Sequence, residues 1–158
     1  MPIASILYIC TMENKIIQTI REFNRFYTGI IGVTNNHILE SSYSLTEVRV
    51  MYEIYSNPEI TARLIKNIVN VDEGYLSRLI KKLVRQNIIE KEKSKTDNRI
   101  SILKLSKKGE IIFLKLNKNS SKSVKKLISH LTLEEQNKLI KNLQEIHKLL
   151  IKKNKNEH

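Results

Sequence analysis

Cationic side chains that could bind a charged partner are concentrated in two neighbouring segments of this sequence. The segment DEGYLSRLIKKLVR (72–85) places two arginines and two lysines among apolar residues at helical spacing. The segment KSKTDNR (93–99) places two lysines and an arginine around an aspartate, between two short apolar runs. A cationic helix face followed by a cationic loop is typical of proteins that bind nucleic acid. An ordinary solvated helix face and a plain hairpin turn are the alternatives for the same residues.

The distribution of charge separates this region from the rest of the chain, whose formal net charge is +12. Residues 74–106 carry nine Lys and Arg against three Asp and Glu, net +6, whereas residues 1–73 carry six against eight, net −2. Residues 107–158 carry thirteen against five, net +8. A lysine-rich background explains the charge of this segment better than it explains the charge of residues 74–106. The step in charge at residue 74 indicates a surface for a polyanion.

Residues for other kinds of chemistry are few and scattered. The glycines form no phosphate-binding loop and the histidines no metal-ligand cluster, so we expect no enzyme, no metal site and no cofactor. Cys10 is the only cysteine, which excludes an internal disulfide and fits a reducing compartment. No apolar run approaches the roughly 18 residues of a membrane helix, so we expect a cytoplasmic protein that does not enter the membrane. The glycines are Gly29, Gly32, Gly74 and Gly109, and the histidines are His37, His130, His147 and His158.

The elements that position the cations follow from apolar spacing and capping motifs. A second helix begins at an S-x-x-E capping box, Ser44 with Glu47, and ends before Pro58. Two more helices follow, joined by a tight turn at Asn70, a residue type that tolerates the left-handed backbone. Asp72 can cap the later helix, and Asn87 is expected to end it in a left-handed conformation. The side chains expected to be buried are Leu64, Ile65 and Ile68 in the earlier helix and Leu76, Leu79, Ile80, Leu83 and Val84 in the later one.

A hairpin and two further helices complete the chain. IIEKEK and ISILKL predict two strands joined by SKTDNR. Ser106 can cap the next helix, whose apolar face lapses through NKNSSKS (117–123). The last helix begins at a second capping box, Thr132 with Glu135.

Apolar seams at both ends of the chain are larger than a small core could cover. The first helix and the last helix both repeat apolar residues at intervals of four and three, the spacing of a coiled-coil seam. We therefore expect two chains to pack these helices together as a homodimer. The seam residues are Ile16, Ile20, Phe23, Tyr27 and Ile30 in the first helix and Leu139, Leu143, Ile146 and Leu150 in the last.

The predicted fold is mainly α with a small β-wing, a winged helix-turn-helix domain plus a helical dimerisation region. We assign residues 1–12 to an N-terminal extension, either disordered or upstream of the true start, and residues 13–158 to a single domain. Within that domain, residues 44–109 form the winged helix-turn-helix, and residues 13–38 and 110–153 form the dimerisation helices.

Three segments of the chain resemble the MarR family of transcriptional regulators: LTEVRVMYEI, LIKNIVNVDEGYLSRLIKKLVRQNIIEK and DNRISILKLSKKG. The last segment is similar to the wing pattern of that family, D-x-R, five residues, then L-S/T-x-x-G. The resemblance covers residues 13–150, although Asn87 stands where the family usually has Gly. IREFNRFYTGIIG, SLTEVRVMYEI and DEGYLSR further resemble the regulator half of proteins that fuse a MarR domain to a GNAT acetyltransferase. The residues that match the wing pattern are Asp97, Arg99, Leu105, Ser106 and Gly109.

The resemblance implies a role for each polar residue of the helix-turn-helix and wing. Arg99 would enter the minor groove of DNA and Asp97 would orient it. The side chains implied as base-edge or groove contacts are Tyr75, Ser77 and Arg78, those implied as phosphate contacts are Lys81, Lys82, Arg85, Lys93 and Lys95, and those implied as further backbone contacts are Thr61 and Arg63. Packing of Tyr75 on the helix-turn-helix core is the alternative for that residue.

The function implied is a sequence-specific regulator of transcription that binds double-stranded DNA as a homodimer, acts as a repressor and is released by a small-molecule effector. The alternative is a stand-alone regulatory or partner-binding module that works with a separate acetyltransferase. Some MarR-like regulators sense oxidants through one N-terminal cysteine, which leaves an oxidant-sensing role for Cys10 as a further alternative.

Overall fold

The structure, a computed structural model, describes residues 3–30 and 41–151, with side chains described from Met12 onward. The chain divides into two compact units, Met1–Leu116 and Asn117–His158. None of the described helices is long and apolar enough to cross a membrane. In chain order the elements are α1 (Ile3–Ile30), α2 (Leu45–Ser56), α3 (Ala62–Val69), α4 (Glu73–Arg85), β1 (Ile89–Lys93), β2 (Ser101–Leu105), α5 (Lys107–Ile128) and α6 (Leu133–Ile151).

Side-chain caps begin the helices at the predicted residues. The Ser44 side chain accepts a hydrogen bond from the amide of Glu47, and the Glu47 carboxylate accepts one from the amide of Ser44 at 2.8 Å, which completes the capping box of α2. Thr132 and Glu135 form the same reciprocal pair at the start of α6. The Asp72 carboxylate accepts from the amide of Tyr75 at 2.9 Å. Each cap satisfies helix N-terminal amides that have no partner within the helix.

Two asparagines adopt the left-handed conformation predicted for them. Asn70 has φ 53° in the turn between α3 and α4, and Asn87 has φ 58° just after α4. Asparagine tolerates this conformation better than most residues because its short polar side chain can hydrogen-bond locally. Asn87 thus adopts a left-handed backbone at the position where the resemblance to the MarR family implies glycine.

The apolar core lies among α2, α3, α4, the hairpin and the first turns of α5. Its buried members are Val50, Met51, Ile54, Ile60, Ile65, Leu76, Leu79, Ile80, Leu83, Ile88, Ile89, Leu103, Phe113 and Leu116.

The prediction of the buried face was wrong at three positions. In α3 only Ile65 is buried, with Val69 partly buried against the core, while Leu64 and Ile68 are 51% and 47% exposed. Ile65 and Val69 lie four residues apart on the face that meets the core, and Leu64 and Ile68 form the adjacent stripe that faces outward. Val84 is 37% exposed, because Leu76, Ile80 and Leu83 already occupy the side of α4 that faces the core.

The hairpin is attached to the helix-turn-helix by backbone hydrogen bonds. Its strands pair antiparallel, with Ile89 opposite Leu105 and Lys93 opposite Ser101. On its other side β2 meets the segment before α3, where the amide of Leu103 donates to the carbonyl of Ile60 at 2.9 Å. An isolated bridge joins Thr61 to Ile102 next to it. These contacts fix the base of the wing against the start of α3.

Gly109 lies against the backbone at the start of the hairpin. A Cβ at this position would lie 2.1 Å from the carbonyl oxygen of Ile88, so only glycine fits. The Ser106 hydroxyl donates to the Asn87 carbonyl at 2.7 Å and accepts from the Gly109 amide at 3.0 Å. The S-x-x-G part of the wing pattern is thus the junction that joins the end of α4 to the start of α5.

The helices assigned to dimerisation differ from the prediction in their bounds. The backbone of α1 is helical from Ile3, so residues 3–12, assigned above to an extension, share one helix with residues 13–30. Helix α5 continues through residues 117–123, where the apolar face lapses. Part of the range 13–38 and the last residues of 110–153 lie outside the described residues. No residue of α6 is buried.

Candidate nucleic-acid interface

Helix α4 presents a polar face to solvent because its apolar stripe holds the opposite face in the core. Leu76, Leu79, Ile80 and Leu83 are each no more than 6% exposed. The cap at Asp72 and the left-handed Asn87 set the two ends of the helix. The polar side chains predicted to meet DNA are all exposed, and they are Ser77, Arg78, Lys81, Lys82 and Arg85.

Tyr75, at the start of α4, is 40% exposed and lies outside the core cluster. The alternative that it packs into the helix-turn-helix core is therefore not what the structure has. Its ring lines a surface groove of about 470 Å³ together with Ser42, Arg78 and Lys82. A half-exposed aromatic ring beside an arginine is available to contact a partner.

A second groove lies between α3, α4 and the inner face of the hairpin, with a volume of about 670 Å³. Among the predicted residues it brings together Arg63, Ser77 and Lys81. Thr61, by contrast, uses its hydroxyl to accept from the Leu64 amide and caps α3. The groove also contains five polar residues that the sequence analysis did not assign to DNA binding: Lys66, Asn67, Glu73, Lys91 and Ser101.

The spacing of Lys66 and Lys91 in the sequence could have predicted that they line this groove. Lys66 follows Arg63 by three residues and so shares its side of α3. Lys91 follows Ile89 by two residues along β1, so both side chains lie on the face of the hairpin that Ile89 turns to the core. Lys66 also pairs with Glu73 at 2.9 Å, which ties α3 to the first turn of α4.

The wing turn is held by the hydrogen bonds of its polar residues. The Asp97 carboxylate accepts from the backbone amide of Arg99 at 2.8 Å, and the Asp97 carbonyl accepts from the amide of Ile100. The ammonium of Lys93 donates to the carbonyl of Asn98 at 3.0 Å. Lys95 and Arg99 are exposed. The contact of Asp97 is therefore with the backbone at Arg99 rather than with its guanidinium.

Lys82 differs from the other cations of α4 in its contacts. Its ammonium lies 2.7 Å from the carboxylate of Glu47, whose side chain is 5% exposed. Burial raises the pKa of Glu47, but the hydrogen bonds from Lys82 and Ser44 and the charge of Lys82 lower it more, so the pKa lies below its ordinary value of 4.5. The sequence analysis assigned Glu47 only to a capping box and missed this ion pair.

The described carboxylates that have perturbed pKa values act as helix caps or in an ion pair. The hydrogen bond from the Tyr75 amide lowers the pKa of Asp72, more than partial desolvation raises it, which agrees with a charged cap at the start of α4. Over residues 12–30 and 41–151, no group of three or more His, Cys, Asp or Glu side chains could hold a metal ion.

The segment that contains the predicted DNA contacts is similar in sequence to known proteins. The model of the MarR family matches residues 43–101, which include every predicted DNA contact from Thr61 to Arg99. The HTH-type transcriptional regulator BilQ of Clostridium symbiosum is 34% identical over 95 residues, which cover 60% of this chain and 66% of BilQ. Residues 43–101 of this chain thus match the MarR family. The aligned part spans just under two thirds of the length of BilQ.

Solved structures of other proteins share the fold of this chain. FabT of Streptococcus pneumoniae in complex with DNA matches with a TM-score of 0.74 and 23% identity, over 86% of this chain and 98% of FabT. PcaV of Streptomyces coelicolor in complex with its natural ligand matches with a TM-score of 0.61 and 16% identity, over 79% of this chain and 88% of PcaV. The winged helix-turn-helix architecture with a small hairpin wing is thus confirmed, and the homologues are transcriptional regulators rather than enzymes.

Proposed function

We propose that this MarR-family protein regulates transcription by binding double-stranded DNA as a homodimer, at a specific site where it acts as a repressor. The observation that carries the proposal is the set of exposed cations on α4, in the adjoining groove and on the wing. A helix has the width that enters the major groove, and a wing arginine suits a narrow minor groove, where the potential is most negative.

The polar residues fall into three groups by the contact with DNA that each can make. Tyr75, Ser77 and Arg78 lie in the N-terminal half of α4, the part of a recognition helix that contacts base edges. Lys81 and Arg85 of α4, with Arg63 and Lys95, are exposed cations that suit phosphate contacts, which set position rather than sequence preference. Arg99 is the candidate for the minor groove.

Two exposed apolar seams support the homodimer. In α1 the seam runs from Ile16, 56% exposed, to Ile30, 38% exposed, and Phe23 stacks on Tyr27 with ring centroids 5.6 Å apart. In α6 the seam residues Leu143 and Ile146 are 44% and 43% exposed. Apolar seams of this length are rarely left in water. A two-fold dimer would present two copies of α4 to two half-sites about one helical turn apart.

Selection of bound fragments from genomic DNA tests the proposal, followed by titration of the shared site at several salt concentrations. We expect a roughly palindromic duplex, and an affinity that falls with salt with a log–log slope of about −0.9 per phosphate neutralised. Better binding to single-stranded RNA than to any duplex would contradict it.

Two finer proposals accompany this one. A small-molecule effector would release the DNA, as a regulator that responds to metabolites requires, and work on chromosomal DNA implies a cytoplasmic location. The likeness of IREFNRFYTGIIG and DEGYLSR to the regulator half of MarR–GNAT fusion proteins supports the alternative that the chain works with a separate acetyltransferase. Co-expression with candidate acetyltransferases, followed by size-exclusion chromatography, would distinguish a regulator that works alone from one that forms a complex with an acetyltransferase.

A further inference from the structure

Helix α4 is tied to α2 by one buried charge. We propose that Glu47 is a positioning residue for DNA binding: through its ion pair with Lys82 it fixes the rotation of α4, and Lys82 consequently acts within the protein rather than on a phosphate. The inference rests on the proposed function, since it concerns how α4 is presented to DNA.

Both oxygens of the Glu47 carboxylate have partners on different elements. One accepts from the Ser44 amide at 2.8 Å and the other pairs with the Lys82 ammonium at 2.7 Å. The side chain of Glu47 is 5% exposed, whereas that of Lys82 is 47% exposed. The carboxylate is thus anchored at the start of α2, and the lysine reaches back to it from the surface of α4.

An anchored carboxylate that is withdrawn from water needs its partner. Removing one member of a buried pair leaves an uncompensated charge, which strongly favours keeping the two together. Of the four cations on α4, Lys82 is the one that forms an ion pair among the described residues. Arg78, Lys81 and Arg85 are therefore the cations of α4 that remain available to DNA.

The apolar contacts of α4 restrict its rotation, and the ion pair adds a second restraint of a different kind. Burial of Leu76, Leu79, Ile80 and Leu83 is a non-directional force that tolerates a small roll of the helix. An ion pair at the polar edge of that stripe is favoured at the rotation that brings the two charges together, and so it adds a restraint against the roll. A few degrees of rotation would move Arg78 away from a base edge, because base readout depends on hydrogen-bond geometry.

Two neutral variants separate positioning from phosphate contact. If Lys82 met a phosphate, Lys82→Gln would lower the log–log salt slope by about 0.9 for each protomer, and so by about 1.8 for the dimer. We expect instead that the salt slope is unchanged and that the ratio of specific to non-specific affinity falls about tenfold. A change of this size is usual when an interaction between two contacting residues is lost.

Glu47→Gln gives the opposite expectation from charge counting. It removes a negative charge, so simple electrostatics predicts tighter DNA binding. A glutamine can still serve in the capping box, so the variant keeps the start of α2 while losing the ion pair. We expect weaker discrimination with the same salt slope, and a double variant with Lys82→Gln no worse than either single variant.

The matched variants are Lys82→Arg, which preserves the pair, and Arg85→Gln, which removes an exposed cation of the same helix. We expect Lys82→Arg to keep wild-type discrimination and Arg85→Gln to lower the salt slope. Circular dichroism of each variant identifies any loss of folding. If Lys82→Gln does not fold but Lys82→Arg does, the DNA-binding measurements on Glu47→Gln test the positioning role.

The outcomes separate the two proposals. A lower salt slope in Lys82→Gln, or tighter specific binding by Glu47→Gln, would overturn the positioning role while leaving DNA binding intact. Wild-type protein that binds no duplex in a salt-dependent manner would overturn the proposed function itself.

Discussion

The carboxylate of Asp97 accepts a hydrogen bond from the backbone amide of Arg99 at 2.8 Å, two residues along the wing turn. This is the geometry of an Asx turn, in which the side chain imitates a backbone carbonyl. The resemblance to the MarR family implied that Asp97 orients the arginine, and in this turn it orients the chain from which the arginine projects. The ammonium of Lys93 closes the same turn through the carbonyl of Asn98.

The Asx turn changes what a substitution at Asp97 should do. Asparagine can accept the same hydrogen bond through its side-chain oxygen, and Asp97→Asn also removes a negative charge from each wing. We therefore expect Asp97→Asn to bind DNA as well as the wild type or somewhat better. Asp97→Ala loses the turn, and the freed wing must be ordered on docking, which costs about 1–2 kcal/mol for each residue fixed. Titration of both variants on one duplex at fixed salt measures this, and weaker binding by Asp97→Asn would show that the charge itself steers Arg99.

Substitution of the wing arginine and substitution of the arginine in α4 should change DNA binding in different ways. Arg99→Ala should weaken binding to every site, and most where the flanks are A·T-rich, because a narrow minor groove attracts arginine most strongly. Arg78→Ala should instead flatten the preference among related sites, by about 1–3 kcal/mol if the arginine is bidentate to a guanine.

A panel of duplexes with single base changes and with altered flanks measures both effects. If Arg78→Ala weakened all duplexes of the panel equally, its role would be a phosphate contact. Lys95→Ala is a useful control on the wing, since loss of an exposed cation there should lower the salt slope without altering the flank preference.

The seam of α6 should determine the oligomeric state. Leu143→Glu would place an unpaired charge within the proposed dimer interface, at a cost of several kcal/mol, and should yield monomers. Gln144→Glu adds the same charge one residue along, to a side of the helix that points away from the seam, and should leave the dimer intact. Analytical ultracentrifugation at micromolar concentration measures this, and a wild-type monomer under those conditions would exclude the proposed interface.

Two glycines offer opposite expectations for the same substitution. Gly109→Ala would place a methyl group 2.1 Å from the Ile88 carbonyl oxygen, so the backbone must shift. We expect a loss of about 1–3 kcal/mol or more in the free energy of unfolding, the usual cost of forced overpacking. Gly29, within α1, has open space around its Cβ position, and Gly29→Ala should raise stability by about 0.5–1 kcal/mol. Urea unfolding at matched protein concentration compares the two, and equal effects would contradict the close approach at Gly109.

Glu47 should make the fold sensitive to acid. A carboxyl group whose pKa is lower in the folded chain stabilises the fold fully above its unfolded value, and this contribution is lost as the pH falls through the folded value. The unfolded value is near 4.5, and the folded value lies below it. The free energy of unfolding should therefore fall as the pH drops below 4.5, and it should fall less in Glu47→Gln. Urea titrations across this interval test the difference, and identical pH profiles for the two proteins would refute it.

Features that depend on neighbours in the sequence could be predicted from it. The capping boxes of α2 and α6 and the left-handed Asn70 and Asn87 were all correct, because each involves residues within about one turn of one another. The buried stripe of α4 followed from helical periodicity, apart from Val84 at its edge. The cationic face of α4 followed from the same stripe, since a helix that buries one side must expose the other.

Features that join distant parts of the chain were decided only by the tertiary structure. Periodicity marked Leu64, Ile65 and Ile68 as apolar, but which of them is buried depends on the side from which the core reaches α3. The sequence predicted Glu47 as a cap, and the family resemblance implied Lys82 as a phosphate contact. Only the tertiary fold brings these two charges to a distance of 2.7 Å and withdraws the carboxylate from water. Local sequence sets what a segment can form, whereas the surroundings of a side chain depend on every segment that packs around it.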